Sequence, residues 1–317
     1  MTQMMDYDVV IVGGGPGGLT AGLYTARANR KVVCLEKYLP GGQIAVTGDV
    51  EDYPGFERIQ GADLAMKFAD HAKSFGLEVR MEEVEEVYTD GDYRITRCAS
   101  GNLYRGKAVI ISTGGSPVLL SIPGEKEYTG KGVSYCAICD GAFFREKVIA
   151  VVGGGDAAVE EGTFLTKFAS KVIIIHRRDQ LRAQKIIQQR AFDNPKVEFI
   201  WDTVPESIEG DGTRVTHVML KNVKTGEKSK LDVGAVFPYI GFRPNSGITR
   251  EKLQTNEGGY IVTNDRMETS LAGIFACGDV RAQLVRQITN AVGDGTTAAV
   301  AAEKYIEALE DKHARRA

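Results

Sequence analysis

Apolar and polar positions along the chain fall into two series of the same shape. In the first, Tyr7 to Val12 is a β-branched strand run that stops at Gly13-Gly14-Gly15-Pro16-Gly17-Gly18. Leu19 to Ala28 then has an alanine-rich helical composition, and Lys31 to Leu35 returns to strand and ends at Glu36. In the second, Val148 to Val152 is a strand and Gly153-Gly154-Gly155-Asp156-Ala157-Ala158 a glycine turn. Val159 to Phe168 follows as a helix and Lys171 to Ile175 as a strand. Between the two series, Leu64, Phe68, His71, Ala72 and Phe75 recur at helical spacing and predict a helix over Gly61 to Phe75, with His71 a tolerated face residue. Glu82 to Val87 and Tyr93 to Arg97 read as antiparallel strands about an Asp90-Gly91 turn, the run Glu82-Glu83-Val84-Glu85-Glu86 being a solvated face. Lys107 to Ser112 is a buried strand. Beyond the second series come strands at Val197 to Trp201, Val215 to Asn222, Lys230 to Val233 and on to Ile240, with turns at Glu209 to Gly212 and Lys224 to Gly226. Tyr260 to Val262 and Gly273 to Ala276 read as strands, Gln287 to Tyr305 as the last helix, and Asp311 to Ala317 as a frayed polar tail.

Glycine–proline stretches at Thr113 to Pro117 and Gly241 to Asn245 mark two boundaries. The expected class is α/β with two Rossmann-like, three-layer ββα nucleotide-binding domains. Residues 1–116 and 245–317 form the first, and 117–244 form a second inserted into it. At 317 residues the chain is long enough for two cores.

Composition narrows the partners. A net charge of −3 argues against nucleic acid or anionic membrane, and no apolar run reaches membrane-span length. The first residues lack the basic and apolar regions of a signal peptide, and five cysteines with one close pair are not a secreted disulfide framework. A cytoplasmic protein is expected.

The glycine turns carry the first chemistry. Gly13 makes the tight turn, Gly15 lets backbone approach a pyrophosphate and Gly18 permits close helix–strand packing. Glu36 stands where an acid accepts from a ribose hydroxyl. At the matching place in the second series stands His176, followed by Arg177, Arg178 and Arg182. An acid there would repel a 2′-phosphate, whereas this cluster holds one, although a solvated basic face has the same composition. Between the two turns lies Tyr135-Cys136-Ala137-Ile138-Cys139-Asp140-Gly141. Two cysteines three apart suit a redox disulfide; the competing readings are half a zinc site or two core residues. Asp140 is either a proton donor to a leaving thiolate or a helix-start cap. Gly278-Asp279 ends a strand and suits a sugar or ribitol hydroxyl, with Cys277 a small core residue beside it.

With both fingerprints, Cys136-Ala137-Ile138-Cys139-Asp140 and Gly278-Asp279 in place, the whole chain resembles the low-molecular-weight thioredoxin reductases. The resemblance implies FAD in the first domain, NADPH in the second, and a homodimer joined mainly through the FAD domains. It assigns Gly13, Gly15, Pro16, Gly18, Glu36, Gly41, Gly42, Gln43, Asp52, Thr113, Gly114, Gly278, Asp279, Arg286, Gln287 and Ile288 to the flavin nucleotide. Gly41-Gly42-Gln43 would otherwise read as a plain loop. Gly153, Gly155, Asp156, Ala158, His176, Arg177, Arg178 and Arg182 fall to NADPH. Cys139 would face the flavin, Cys136 would attack oxidised thioredoxin, and Asp140 would move protons. Ile138, Asp52, Ala157 and Ser112-Thr113-Gly114 depart from the usual pattern without removing a necessary group. The alternative is a related reductase of another small protein disulfide, glutaredoxin-like or from a peroxiredoxin system. Because cysteines and second fingerprint share one domain, a rigid-body rotation of residues 117–244 between two states is also expected.

Overall fold

The computed structural model describes residues 4–47 and 49–315, apart from the side chains of Asp49 and Cys139. The chain divides into two compact units, Met1–Ser116 with Arg243–Ala317, and Pro117–Phe242.

The first unit opens with strand β1 (Met4–Val12), helix α1 (Pro16–Arg27), strand β2 (Val32–Glu36) and a 3-10 turn at Gly42–Val46. Short strands β3 (Asp49–Val50) and β4 (Ile59–Gln60) precede helix α2 (Gly61–Ser74). Strands β5 (Glu78–Met81), β6 (Val84–Asp90), β7 (Tyr93–Cys98), β8 (Leu103–Ile111) and β9 (Gly115–Pro117) complete the first pass. Its sheet runs β5-β2-β1-β8-β7-β6. β1 pairs in parallel with β2 (Val9 opposite Val32) and with β8 (Val9 opposite Ala108). Val9, Val10, Ile11, Val33, Val109, Ile110 and Ile111 are wholly buried, as expected of central parallel strands covered on both faces.

The second unit holds the one-turn helix α3 (Ala137–Asp140), strand β10 (Val148–Gly153), helix α4 (Asp156–Leu165), strand β11 (Lys171–Ile175) and helix α5 (Lys185–Phe192). Strands β12 (Val197–Ile200), β13 (Thr203–Gly210), β14 (Val215–Asn222), β15 (Lys228–Asp232) and β16 (Ala235–Tyr239) follow. A parallel sheet, β12-β11-β10-β16, is accompanied by an antiparallel one, β13-β14-β15. One core, including Val152, Ile175, Ile208, Val218 and Val236, lies between the sheets; another, with Val151, Leu165, Ile174 and Phe237, lies under α4.

The chain returns to the first unit through strand β17 (Phe242–Pro244), adds strand β18 (Ile274–Ala276) beside β8, and ends in helix α6 (Ile288–Ala314). α6 crosses α1 so closely that a side chain on Gly295 would run into the Gly17 carbonyl.

Three expectations are corrected. Tyr260–Val262 forms no strand: Ile261 makes only isolated bridges to Thr255 and Arg281, because the surrounding loop folds back on itself. The tail is not frayed over its length. α6 runs to Ala314, pinned where Glu310 meets both Arg30 and Lys107; Arg316 and Ala317 lie outside the described residues. Glu82 is not part of a solvated strand face. It precedes β6, half-buried, and accepts hydrogen bonds from Ser100, Asn102 and Tyr104.

Candidate functional site

The first glycine turn is built by exclusion. Gly13 sits at φ 101°, and any side chain there would strike the Ser112 carbonyl. Gly18 packs against the Gly13 carbonyl in the same way. Beside Gly15, by contrast, an added Cβ would meet nothing within 4 Å. Gly15 caps α1 without a side-chain bond and Pro16 opens the helix, so first-turn N–H groups are left for an outside acceptor. Glu36 is locked onto the turn: it accepts from Gly14 N–H at 2.6 Å and from Tyr38 N–H at 2.9 Å. Gly41 N–H donates to the Gly14 carbonyl at 2.7 Å, and a Cβ on Gly42 would lie 3.1 Å from Gly15 Cα. The Gly41-Gly42 stretch therefore belongs to the fingerprint's immediate surroundings.

The return of the chain adds a second edge to this site. A Cβ on Gly17 would lie 3.1 Å from the Ala291 carbonyl of α6 and 3.3 Å from Cys277 Sγ. Gly278 N–H donates to the buried Asp294 at 3.1 Å, which also takes Arg281 at 3.2 Å. Asp279 has no such partner among the described residues. Burial raises its carboxyl, and Arg286 opposes the shift. Arg286 lies 4.1 Å over the Tyr260 ring, Gln287 caps α6, and Ile288 packs beside Ile44 and Leu64. Thr113 Oγ1 donates to the Asn245 carbonyl at 2.6 Å, and the Asn245 amide returns a bond to Thr113. Gln43 and Asp52 are exposed, and no hydrogen bond joins Asp52 to the other site residues among those described.

The second turn repeats the design. Gly153 is at φ 153° against the Tyr239 carbonyl, and Ala158 stands where the first turn has Gly18. Gly155 opens α4 beside unfilled space, again with no side-chain cap. Arg182 N–H donates to the Gly154 carbonyl at 2.7 Å, and Asp156 accepts from Gln184 N–H at 2.7 Å, so the 182–184 stretch crosses the turn. Arg177, Arg178 and Arg182 are exposed. His176 is not one more cation on that face. It is 5% exposed beneath Gly154, edge-on to Trp201, with Nε2 unpartnered. Burial and, less strongly, the three arginines push its pKa down, against a backbone bond at Gln180 that raises it. Glu36 and His176 are equivalent: each stands 22 positions beyond the middle glycine it touches.

Cys136 is half-buried, disulfide-bonded and placed directly before α3. Its N–H donates to Ser134 Oγ at 3.1 Å, and its carbonyl accepts from Asp140 N–H at 3.2 Å. The Cys139 side chain lies outside the described residues. Cys34, Cys98 and Cys277 are free and buried; burial pushes the thiols of Cys98 and Cys277 up to about 12, which keeps them inert. No group of three metal-ligating side chains occurs among the described residues.

Four residues near the pair were not singled out from sequence. Ser134 holds Cys136, Glu125 accepts from Tyr135 Oη at 2.8 Å, Tyr239 Oη accepts from Ala137 N–H at 2.9 Å, and Glu161 lies on α4. Only Tyr239 gave a signal, the last residue of a parallel strand, where α/β sheets gather ligands.

The model of the pyridine nucleotide-disulphide oxidoreductase family matches residues 7–295. A thioredoxin reductase of Bacillus subtilis is 50% identical, with 98% of each chain covered. The crystal structure of Lactococcus lactis thioredoxin reductase in its FR conformation is 49% identical with a TM-score of 0.90, covering 95% of this chain and 99% of that one. The T. acidophilum thioredoxin reductase structure has the same TM-score at 35% identity, over 96% and 99%.

Proposed function

The chain belongs to the thioredoxin reductases of the pyridine nucleotide-disulphide oxidoreductase family, and from that premise we propose the reaction NADPH + H⁺ + oxidised thioredoxin → NADP⁺ + reduced thioredoxin. The observation that carries this reading is the disulfide at Cys136, which falls in the sequence between two glycine turns whose helix starts are uncapped. Both turns fit a dinucleotide pyrophosphate, since backbone N–H groups are available where no side chain intrudes. Gly13, Gly15, Pro16, Gly18, Glu36, Gly41, Gly42, Gln43, Asp52, Thr113, Gly114, Gly278, Asp279, Arg286, Gln287 and Ile288 would hold FAD. Gly153, Gly155, Asp156, Ala158, His176, Arg177, Arg178 and Arg182 would hold NADPH, with the exposed arginines on the 2′-phosphate. Bound FAD supplies the two-electron relay between nicotinamide and disulfide.

The chain's own work begins with the reduced cysteine pair, Cys136 and Cys139. Cys136 thiolate attacks one sulfur of the thioredoxin disulfide, and the second sulfur leaves with a proton from Asp140. Cys139 then attacks Cys136 Sγ, which restores the enzyme disulfide and frees reduced thioredoxin. Ser134 and Tyr239 fix the backbone on either side of Cys136, so that the attacking sulfur is presented in one orientation. A homodimer in the cytoplasm is part of the same reading. The test is nucleotide oxidation coupled to thioredoxin, to a glutaredoxin-like protein and to a peroxiredoxin-system partner. Thioredoxin is expected to be reduced fastest, and Cys136→Ser to lose that turnover while still passing hydride to flavin. Full turnover by Cys136→Ser would end the proposal.

A further inference from the structure

Helix α4 presents Ala158 and Leu165 to a core that also contains Ala137 of α3 and Phe237 and Tyr239 of β16. Glu161 falls between them, three residues after Ala158 and four before Leu165, so helical geometry puts it on that same face. One turn further on, a Cβ added to Gly141 would lie 2.9 Å from Leu165 and 3.1 Å from Phe168. Gly141 directly follows Cys139 and Asp140. Glu161 thus lies, half-buried, on the face of α4 that packs against the cysteine segment. Among the described residues it has neither a hydrogen bond nor an ion pair.

Tyr239 joins the two. Its hydroxyl accepts the N–H of Ala137, the residue after Cys136, at 2.9 Å. Burial first, then the charge of Glu161 and more weakly that of Asp140, hold its hydroxyl protonated against the opposing bond from Ala137. Other charged groups on surrounding elements are Glu160 on α4, Lys185 and Arg190 on α5, and Lys171 on β11. Of these, Glu160 is the one that acts on the Glu161 carboxyl; burial first and Glu160 second push it up to about 7.

We propose that Glu161 is a positioning residue for the cysteine pair, a half-buried carboxyl whose charge, felt through Tyr239 and the Ala137 amide, sets how readily the reduced pair ionises. The proposal rests on Cys136 and Cys139 being the redox pair. Two-electron reduction breaks the S–S bond and, with one proton, leaves one thiol and one thiolate. With Glu161 neutral, the thiolate meets no opposing charge from behind. With Glu161 ionised, a second negative charge stands at the back of α3 and disfavours the thiolate. The two groups then titrate as a coupled pair rather than singly.

The experiment reduces FAD-loaded protein with excess dithiothreitol and follows iodoacetamide alkylation of Cys136 by peptide mass spectrometry between about pH 5 and 9. Wild type is expected to rise in two steps. Glu161→Gln is expected to rise in one, with alkylation several-fold faster than wild type at pH 8. Tyr239→Phe keeps the ring but lacks the hydroxyl, and is expected to show a weakened first step. Superimposable profiles for wild type and Glu161→Gln would overturn the proposal. Should Glu161→Gln fail to fold, an unaltered two-step profile in Tyr239→Phe would overturn it equally. Equal alkylation of Cys136 before and after reduction would instead overturn the redox-pair reading on which it rests.

Discussion

Arg177 and Arg178 project into solvent from the end of β11, while His176 between them and the strand is folded away under Gly154. Under the proposed function, discrimination for a 2′-phosphate would therefore fall to the arginines. A hydrogen bond to a charged group contributes about 1.5–3 kcal/mol, so Arg177→Ala or Arg178→Ala should raise the NADPH KM roughly 10- to 150-fold and spare NADH. Steady-state kinetics with both nucleotides decides this, and equal losses would make the arginines structural. Glu161 gives a second test at this scale. Its folded pKa, about 7, exceeds the ordinary 4.5, so the native state holds the proton longer than the unfolded chain does. Stability should fall as pH rises from 4.5 to 7 and stay level above. Glu161→Gln should then be neutral near pH 4.5 and gain about 2–3 kcal/mol above pH 7 in urea unfolding. A gain independent of pH would point to packing instead. Features whose placement depends on chain-local spacing were legible: the two glycine turns, Glu36 against the first, the exposed arginines after β11 and the cysteine segment with its disulfide. Glu161, Tyr239 and the burial of His176 were not, because each is decided by a neighbour distant in sequence.

α1 and α6 meet through glycine rather than through interlocking side chains. Gly17 lies under Ala291, and Gly295 lies on the Gly17 carbonyl. Gly295→Ala must push the helices apart, and with them the 278–288 segment that carries Asp279 and Arg286. Overpacking of this kind costs about 1–3 kcal/mol. Flavin retention on gel filtration should drop along with thermal stability, whereas Gly293→Ala, which meets nothing within 4 Å, should change neither. Most elements were readable from apolar periodicity, since the second halves of β1 and β8 and nearly all of β10 and β11 are apolar runs and α2 has one apolar face. α5 was not: its eight residues, KIIQQRAF, are polar on most sides and have no side-chain cap. β13 begins before the expected turn and includes Glu209 and Gly210, because pairing with β14 rather than local turn chemistry sets its end. α6 outran its apolar pattern because ion pairs hold its last turns.

At the scale of the molecule, Cys136 and the second glycine turn belong to one compact unit, while the first turn belongs to the other. If, as proposed, nicotinamide binds the unit that carries the disulfide and flavin binds the other, disulfide and nicotinamide cannot both occupy one face of the flavin at once. We therefore propose that Pro117–Phe242 turns as a body, through the paired three-residue strands β9 and β17. A reversible cross-link between one introduced cysteine in each unit should stop thioredoxin turnover, and its release should restore it; full turnover while locked would exclude the motion. The repeated strand–turn–helix pattern was legible in the sequence twice over, since each unit needs only about thirty consecutive residues to declare itself. The Tyr239–Ala137 bond spans 102 positions and could not be read that way. The central claim is that electrons cross the Cys136 disulfide. Anaerobic titration of FAD-loaded protein with NADPH tests it most directly. Uptake of two equivalents per subunit, one for flavin and one for the disulfide, falling to one in Cys136→Ser, is the expected result; one equivalent in both proteins would contradict it.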